Sequence, residues 1–229
     1  MTAPSTLVDT TRHSAILPTE LLRKHSVTIV GVGAIGSKAA EVVVKMGFPV
    51  LRLYDHDTVE THNVSCQGFG VRDVGQLKAN LIAERLRADT GANIIGYPVK
   101  VAEQMEFLTS IVISAVDTMD GRALMFDSFM SSPSARFYLD GRMAAMFGQV
   151  YIVDKSDADT VAAYRASLYP QSEVAELPCT EKSTIFCAFG MASLMGAAIT
   201  ALVRGAKIDA HHVDIDFTNF HMMRVRKQS

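Results

Sequence analysis

The sequence predicts an α/β fold, doubly wound about a mostly parallel sheet, with antiparallel strands near its C-terminal end. Three observations predict it. Short apolar runs rich in β-branched residues alternate with longer segments of helical period, the pattern of strand–helix–strand units. The first run, Val27–Val30, passes straight into Gly31-Val-Gly33-Ala34-Ile-Gly36. A second run, Val50–Tyr54, is followed by Asp55, nineteen residues beyond Gly36. In such a turn Gly31 permits the tight strand-to-helix reversal, Gly33 lets backbone N–H groups approach a phosphate, and Gly36 lets helix and strand pack closely. The helix that follows the turn would present its N-terminal dipole to the anion. Asp55 is placed to accept from a ribose hydroxyl. This is a Rossmann-like nucleotide site, and it suits NAD as well as ATP.

The elements follow in order. Residues 1–24 are polar and read as a loose N-terminal arm with a short helix over 18–24. The first helix continues through Lys38–Met46. An irregular stretch, 56–75, precedes a helix over 78–88 with Leu81, Ile82 and Leu86 on one face. Strands are expected at 94–99 and 111–115, a helix at 121–130, and strands at 137–140 and 148–153. Residues 154–178, with Pro170 and Pro178, read as a mobile loop. Ser183–Val203 carries no charged residue and approaches the length of a membrane span. Its small residues favour a buried helix in the core or at a subunit interface, not a membrane segment. Strands at 213–217 and 221–225 end a single domain over 1–229.

Composition narrows the function. A formal net charge of −2 with no basic stripe argues against nucleic acid as a partner. Cys66, Cys179 and Cys187 are scattered, with no C-x-x-C pair, so no zinc is expected and a reducing, cytoplasmic setting fits. No basic segment followed by an apolar core opens the chain. The histidines, His211-His212 included, read as surface residues, and the methionines and Cys187 as core.

Further polar groups lie between Asp55 and residue 122. Asp57, Asn63 and Gln67 fall in the irregular stretch. Lys78 opens a helix, where the dipole disfavours a cation unless an anion binds there; a solvated lysine is the alternative. Asp117 follows an apolar strand at the expected ligand edge, either holding Mg²⁺ or capping the helix that carries Arg122. Thr118 stands next to it.

Together these residues resemble the ThiF/MoeB family, bacterial relatives of ubiquitin-activating enzymes. The resemblance runs through Gly31–Gly36, Tyr54-Asp-His-Asp-Thr-Val-Glu60, Asn63-Val-Ser-Cys-Gln67 and Val74-Gly-Gln-Leu-Lys78. It continues in Ser114-Ala-Val-Asp-Thr118 with Arg122, Gly141-Arg-Met143 and Phe147-Gly-Gln-Val150, and spans about residues 10–225. The resemblance implies adenylation: a carboxylate, such as the C-terminal glycine of a small ubiquitin-like or sulfur-carrier protein, attacks the α-phosphate of Mg-ATP. It implies that Asp55 holds the ribose, Asn63 and Lys78 the phosphates, and Asp117 the Mg²⁺. It implies a homodimer in which Arg12, or else Arg23, reaches the partner's ATP. Pro178-Cys179-Thr180 resembles the catalytic-cysteine segment of ubiquitin-type activating enzymes; an ordinary loop cysteine is the alternative. One departure stands out: the family usually has arginine where Cys66 stands, so either Arg72 or Arg142 substitutes or catalysis is weaker. An NAD-dependent oxidoreductase and a non-catalytic partner subunit are the competing functions.

Overall fold

The structure is a computed structural model, and it describes residues 8–173 and 183–225. Eight strands form one sheet in the order β3-β2-β1-β4-β5-β6-β7-β8. They are β1 (Val27–Val30), β2 (Val50–Tyr54), β3 (Asn93–Tyr97), β4 (Ile111–Ser114), β5 (Phe137–Ala144), β6 (Phe147–Asp154), β7 (His212–Asp216) and β8 (His221–Val225). The first five run parallel and the last three pair antiparallel. This is the fold class expected from the alternation of runs. The order changes direction between β1 and β4, and a crevice at the carboxyl ends of those strands is where open α/β sheets bind ligands.

The helices are α1 (Thr19–Leu22), α2 (Ala34–Lys45), α3 (Lys78–Thr90), α4 (Met119–Ser131), α5 (Ala158–Ala166) and α6 (Ile185–Val203). Alternate residues along the strands serve opposite faces. Phe137, Leu139, Val150 and Ile152 join the core beneath α2, α3 and α6. Tyr138, Tyr151 and Val153 join a second core with Phe126, Phe129 and Tyr164 of α4 and α5. Two covered faces explain why β1 and β4 are buried at every position, Thr28 and Ser114 included.

Helix α6 is long and apolar enough to cross a membrane by length and composition. One side of it, including Cys187, Met191, Met195 and Ile199, is fully buried. Phe186 and Phe189 stay substantially exposed on the other, so it is a core helix with one open flank. Burial pushes the Cys187 thiol up to about 11, which leaves it in the unreactive protonated form.

Three expectations are corrected. Residues 8–24 are packed, not loose: Thr10, Leu17 and Leu22 are buried, and His13 Nε2 lies 3.1 Å from the carbonyl of Met46. The segment expected to be a loop holds α5, capped by Asp157, whose carboxylate accepts from the Asp159 N–H at 3.1 Å. His211 and His212 are half-buried, and His212 stacks on Tyr151 at 4.6 Å between centroids. Cys179 lies outside the described residues.

Candidate nucleotide-binding site

Gly31, Asp55 and Asp117 follow the carboxyl ends of β1, β2 and β4, which are adjacent in the sheet. The turn works as the sequence suggests. Gly31 has φ +87°, a left-handed conformation that glycine adopts without strain. A Cβ on Gly36 would stand 1.8 Å from the carbonyl oxygen of Gly31, so helix and strand cross closer than any side chain allows. Gly33 precedes α2, and the N–H groups of Ala34 and its neighbours open the helix.

Asp55 ties this turn to the next strand. One carboxylate oxygen accepts from the Val32 N–H at 2.6 Å and the other from the Asp57 N–H at 2.8 Å. Each oxygen keeps a second lone pair for a ligand hydroxyl. Burial is the larger influence on Asp55 and raises its pKa above the ordinary aspartate range, although both N–H donors oppose the shift. The carboxyl therefore protonates at a higher pH than a free aspartate does. On acidification, nucleotide affinity is expected to fall first through Asp55, above the ordinary carboxylate range. Affinity measured against pH, in the native chain and in Asp55→Asn, checks this; an identical acid limb in the variant would contradict it.

Lys78 is the first residue of α3 and is nearly buried. Its ammonium lies 3.1 Å from Asp57 Oδ2, and its N–H donates to the Asp57 carbonyl at 2.9 Å. A carboxylate 21 positions earlier thus neutralises the cation whose placement had suggested a phosphate. Asp57 is half-exposed and also meets His56 at 3.4 Å, so a ligand phosphate can compete for Lys78.

Asn63 is buried, and its side-chain oxygen accepts from the Glu60 N–H at 2.9 Å, closing a short 3-10 turn over Thr61–Asn63. Its amide nitrogen keeps no partner among the described residues. Gln67 Nε2 stands 3.9 Å from where a Cβ on Gly33 would lie. Its oxygen Oε1 is buried and has no hydrogen-bond partner among the described residues. An orphaned buried acceptor of this kind is costly unless a ligand donor or water meets it.

Asp117 is exposed and makes no bond to another described residue. It does not cap α4: Thr118 does, accepting from the Gly121 N–H at 3.1 Å. Thr118, expected among the nucleotide contacts, therefore has its hydroxyl engaged in the helix start. Asp117 is left as a free carboxylate at the crevice, fit for a hard cation with oxygen ligands. Asp55, His56 and Asp57 also lie within ligating distance of one another, but their carboxylates are already engaged as described.

Arg122, also expected near the nucleotide, turns inward. It bonds the fully buried Asp140 and the Gly141 carbonyl, the latter at 3.1 Å. Asp140 also accepts from Arg142 Nε at 2.8 Å and from the Tyr164 hydroxyl at 3.1 Å. Arg142 further donates to Ser167, so it is not a free replacement for the missing cation at Cys66. Cys66 itself is half-buried, with only long sulfur contacts to the carbonyls of His62 and Asn63. Arg12 is exposed in a 3-10 turn beside Met46, at the far end of α2 from Gly33. Across the helix that is on the order of 18 Å, too far for Arg12 to reach its own turn. Arg23 pairs with Glu20 at 3.3 Å.

The sheet order, the glycine turn and the carboxylate after β2 define an α/β protein of the Rossmann-like class with a candidate nucleotide site. Within it, the chain belongs to the ThiF family, whose family model matches residues 12–229. It is 27% identical over 204 residues to ubiquitin-like modifier-activating enzyme 5 of Oryza sativa subsp. japonica, covering 82% of this chain and 48% of that protein. It is 33% identical over 113 residues to tRNA threonylcarbamoyladenosine dehydratase of Escherichia coli (strain K12), covering 46% of this chain and 42% of that one. The chain thus spans about half the length of the curated relatives it matches. Its fold is shared by E. coli MccB, solved with AMPCPP and MccA, at TM-score 0.70 and 14% identity over 91% of this chain and 65% of that one. PaaA shares it at TM-score 0.70 and 15% identity over 92% and 67%.

Proposed function

We propose that the chain is an ATP-dependent adenylyltransferase that activates a carboxylate as an acyl adenylate. One observation carries this reading: three groups with open capacity for phosphate and metal surround a glycine turn at one sheet edge. They are the orphaned Gln67 oxygen, the Lys78 ammonium and the free Asp117 carboxylate. A hydride-transfer site requires none of them. Family membership and the rice relative's name support the same class of chemistry.

In the reaction, a carboxylate oxygen attacks the α-phosphorus, and a new O–P bond forms. The bond from that phosphorus to the α,β-bridging oxygen breaks, and its electron pair leaves on pyrophosphate. No proton need move, so the protein acts mainly by positioning and by offsetting charge. Asp55 orients the ribose, the turn N–H groups and Asn63 hold phosphate oxygens, and Lys78 exchanges Asp57 for the developing negative charge. Asp117 would hold Mg²⁺, which when bound shields the phosphates from the incoming carboxylate.

The favoured substrate is the C-terminal glycine of a small ubiquitin-like or sulfur-carrier protein. The position of Arg12 fits a homodimer, because its guanidinium can serve only a neighbouring copy's site; a cytoplasmic setting belongs to the same reading. Cys179 is the proposed acceptor for a following thioester step. The test is product analysis with α-labelled ATP and a carrier ending in Gly-Gly. The reading predicts pyrophosphate together with labelled acyl adenylate, dependent on the carrier or another carboxylate, and AMP equal to the adenylate that is hydrolysed or passed to an acceptor. ADP as the product, or no turnover with any carboxylate alongside tight NAD binding, would refute it. A carrier adduct that thiol treatment removes, and that Cys179→Ala lacks, would place the thioester there.

A further inference from the structure

A cleft of about 560 Å³ opens beside the glycine turn, between the first turns of α2, the loop 67–73 and the middle of α3. Lys38, Gln67, Arg72, Asp73 and Arg85 line it. Three cations thus face one acid, and that acid is already used. Asp73 accepts from Arg85 at 2.7 Å and from the Gly70 N–H at 2.6 Å. Arg85 is fixed further by its bond to the Gly68 carbonyl at 2.8 Å. Lys38 and Arg72 make no ion pair with any described residue. The neighbouring acid on Lys38's own helix, Glu41, is bonded to Lys45 at 2.8 Å. The Lys38 ammonium lies over the Phe189 ring at 4.5 Å, half withdrawn from water. Burial pushes its pKa down; Glu41 opposes the shift, and Arg85 adds a smaller push in the same direction as burial. Two cations that line one concavity without an ion-pair partner among the described residues make an anion site.

Its position says which anion. Gln67 borders both this cleft and the Gly33 turn, with its donor nitrogen Nε2 standing 3.9 Å from where a Cβ on Gly33 would lie. An anion in the cleft would therefore adjoin a phosphate held at the turn, as consecutive phosphates of one nucleotide do. The volume lies within the usual range for ligand sites, roughly 300–1,000 Å³, so two phosphate groups fit.

We propose that this cleft is the polyphosphate subsite: Lys38 and Arg72 take the β- and γ-phosphates of the nucleotide and hold them as the departing pyrophosphate. The proposal rests on the adenylation reading and supplies, from α2 and position 72, the charge that Cys66 does not. Arg85 is a positioning residue, held by Asp73 so that it shapes the cleft wall.

The experiment is calorimetric titration of the full chain with sodium pyrophosphate, ATP and AMP in separate arms. Each of Lys38→Met and Arg72→Met should weaken pyrophosphate and ATP about tenfold, and the double variant about a hundredfold, the usual worth of charge-assisted contacts to phosphate. AMP affinity should stay within about twofold, and Lys38→Arg should restore pyrophosphate binding. The subsite is wrong if the double variant binds pyrophosphate as the native chain does, or if AMP weakens in parallel with ATP. In the first case adenylation can still stand, because native ATP binding and product analysis are read separately. A native chain that binds neither ATP nor pyrophosphate overturns both.

Discussion

Replacing Asp117 by alanine is expected to lower adenylate formation by about two to three orders of magnitude, the usual cost of losing one preorganised electrostatic group at a reacting phosphate. The fold should be unaffected, because Asp117 is exposed, bonds no described residue and leaves the capping of α4 to Thr118. The loss should therefore fall on turnover, with the melting temperature unchanged to within a degree or so, since surface substitutions away from such features change stability by only about ±0.5 kcal/mol. Turnover measured beside a thermal melt checks both halves. Full activity in Asp117→Ala would remove this residue from the chemistry.

The opposite behaviour is expected at Asp140. It has no exposed surface and joins Arg122, Arg142 and the Tyr164 hydroxyl across β5, α4 and α5. Removing one partner of a buried pair leaves the others charged and unmatched, at a cost of about 3–5 kcal/mol. In a domain of this size each kcal/mol shifts the midpoint by about 2–4 °C, so Asp140→Ala should melt roughly 6–20 °C below the native chain. By contrast, the exposed Arg136–Asp154 contact at 3.5 Å should contribute less than about 1 kcal/mol. The same network sets the expectation for Arg122→Met: lowered stability, and native nucleotide affinity in the folded protein well below its midpoint. Weakened nucleotide binding under those conditions would return Arg122 to the site.

These contrasts mark what the sequence could reveal. The turn was legible because its glycines, the preceding strand and Asp55 are local, and their spacing has one physical meaning. The central strands were legible because both faces of the sheet are covered there, which leaves short, mostly apolar runs. Helix α5 was hidden by its setting: Asp157 caps it as a helix start should, but the prolines beyond it and its many polar residues made the whole stretch read as loop. The segment 8–24 is polar overall, and only its few buried residues, Leu17 and Leu22 among them, fix it to the body. Side-chain partnerships were beyond reach for a different reason. Asp57 with Lys78 and Asp140 with Arg122 are each about twenty residues apart, and they meet only once the strands are ordered in the sheet. The cationic cleft likewise draws Lys38, Arg72 and Arg85 from three segments, so no local signal announces it.

The central claim is that this crevice presents the α-phosphate of ATP to a carboxylate. Exchange of labelled pyrophosphate into ATP measures that step alone, forward and back, before any acceptor is needed. With a carrier protein ending in Gly-Gly, or another carboxylate substrate, label should enter ATP, and the rate should collapse in Asp117→Ala and in Lys78→Met. Exchange that needs no carboxylate, or no exchange with any carboxylate in a folded chain that binds ATP, would contradict the account.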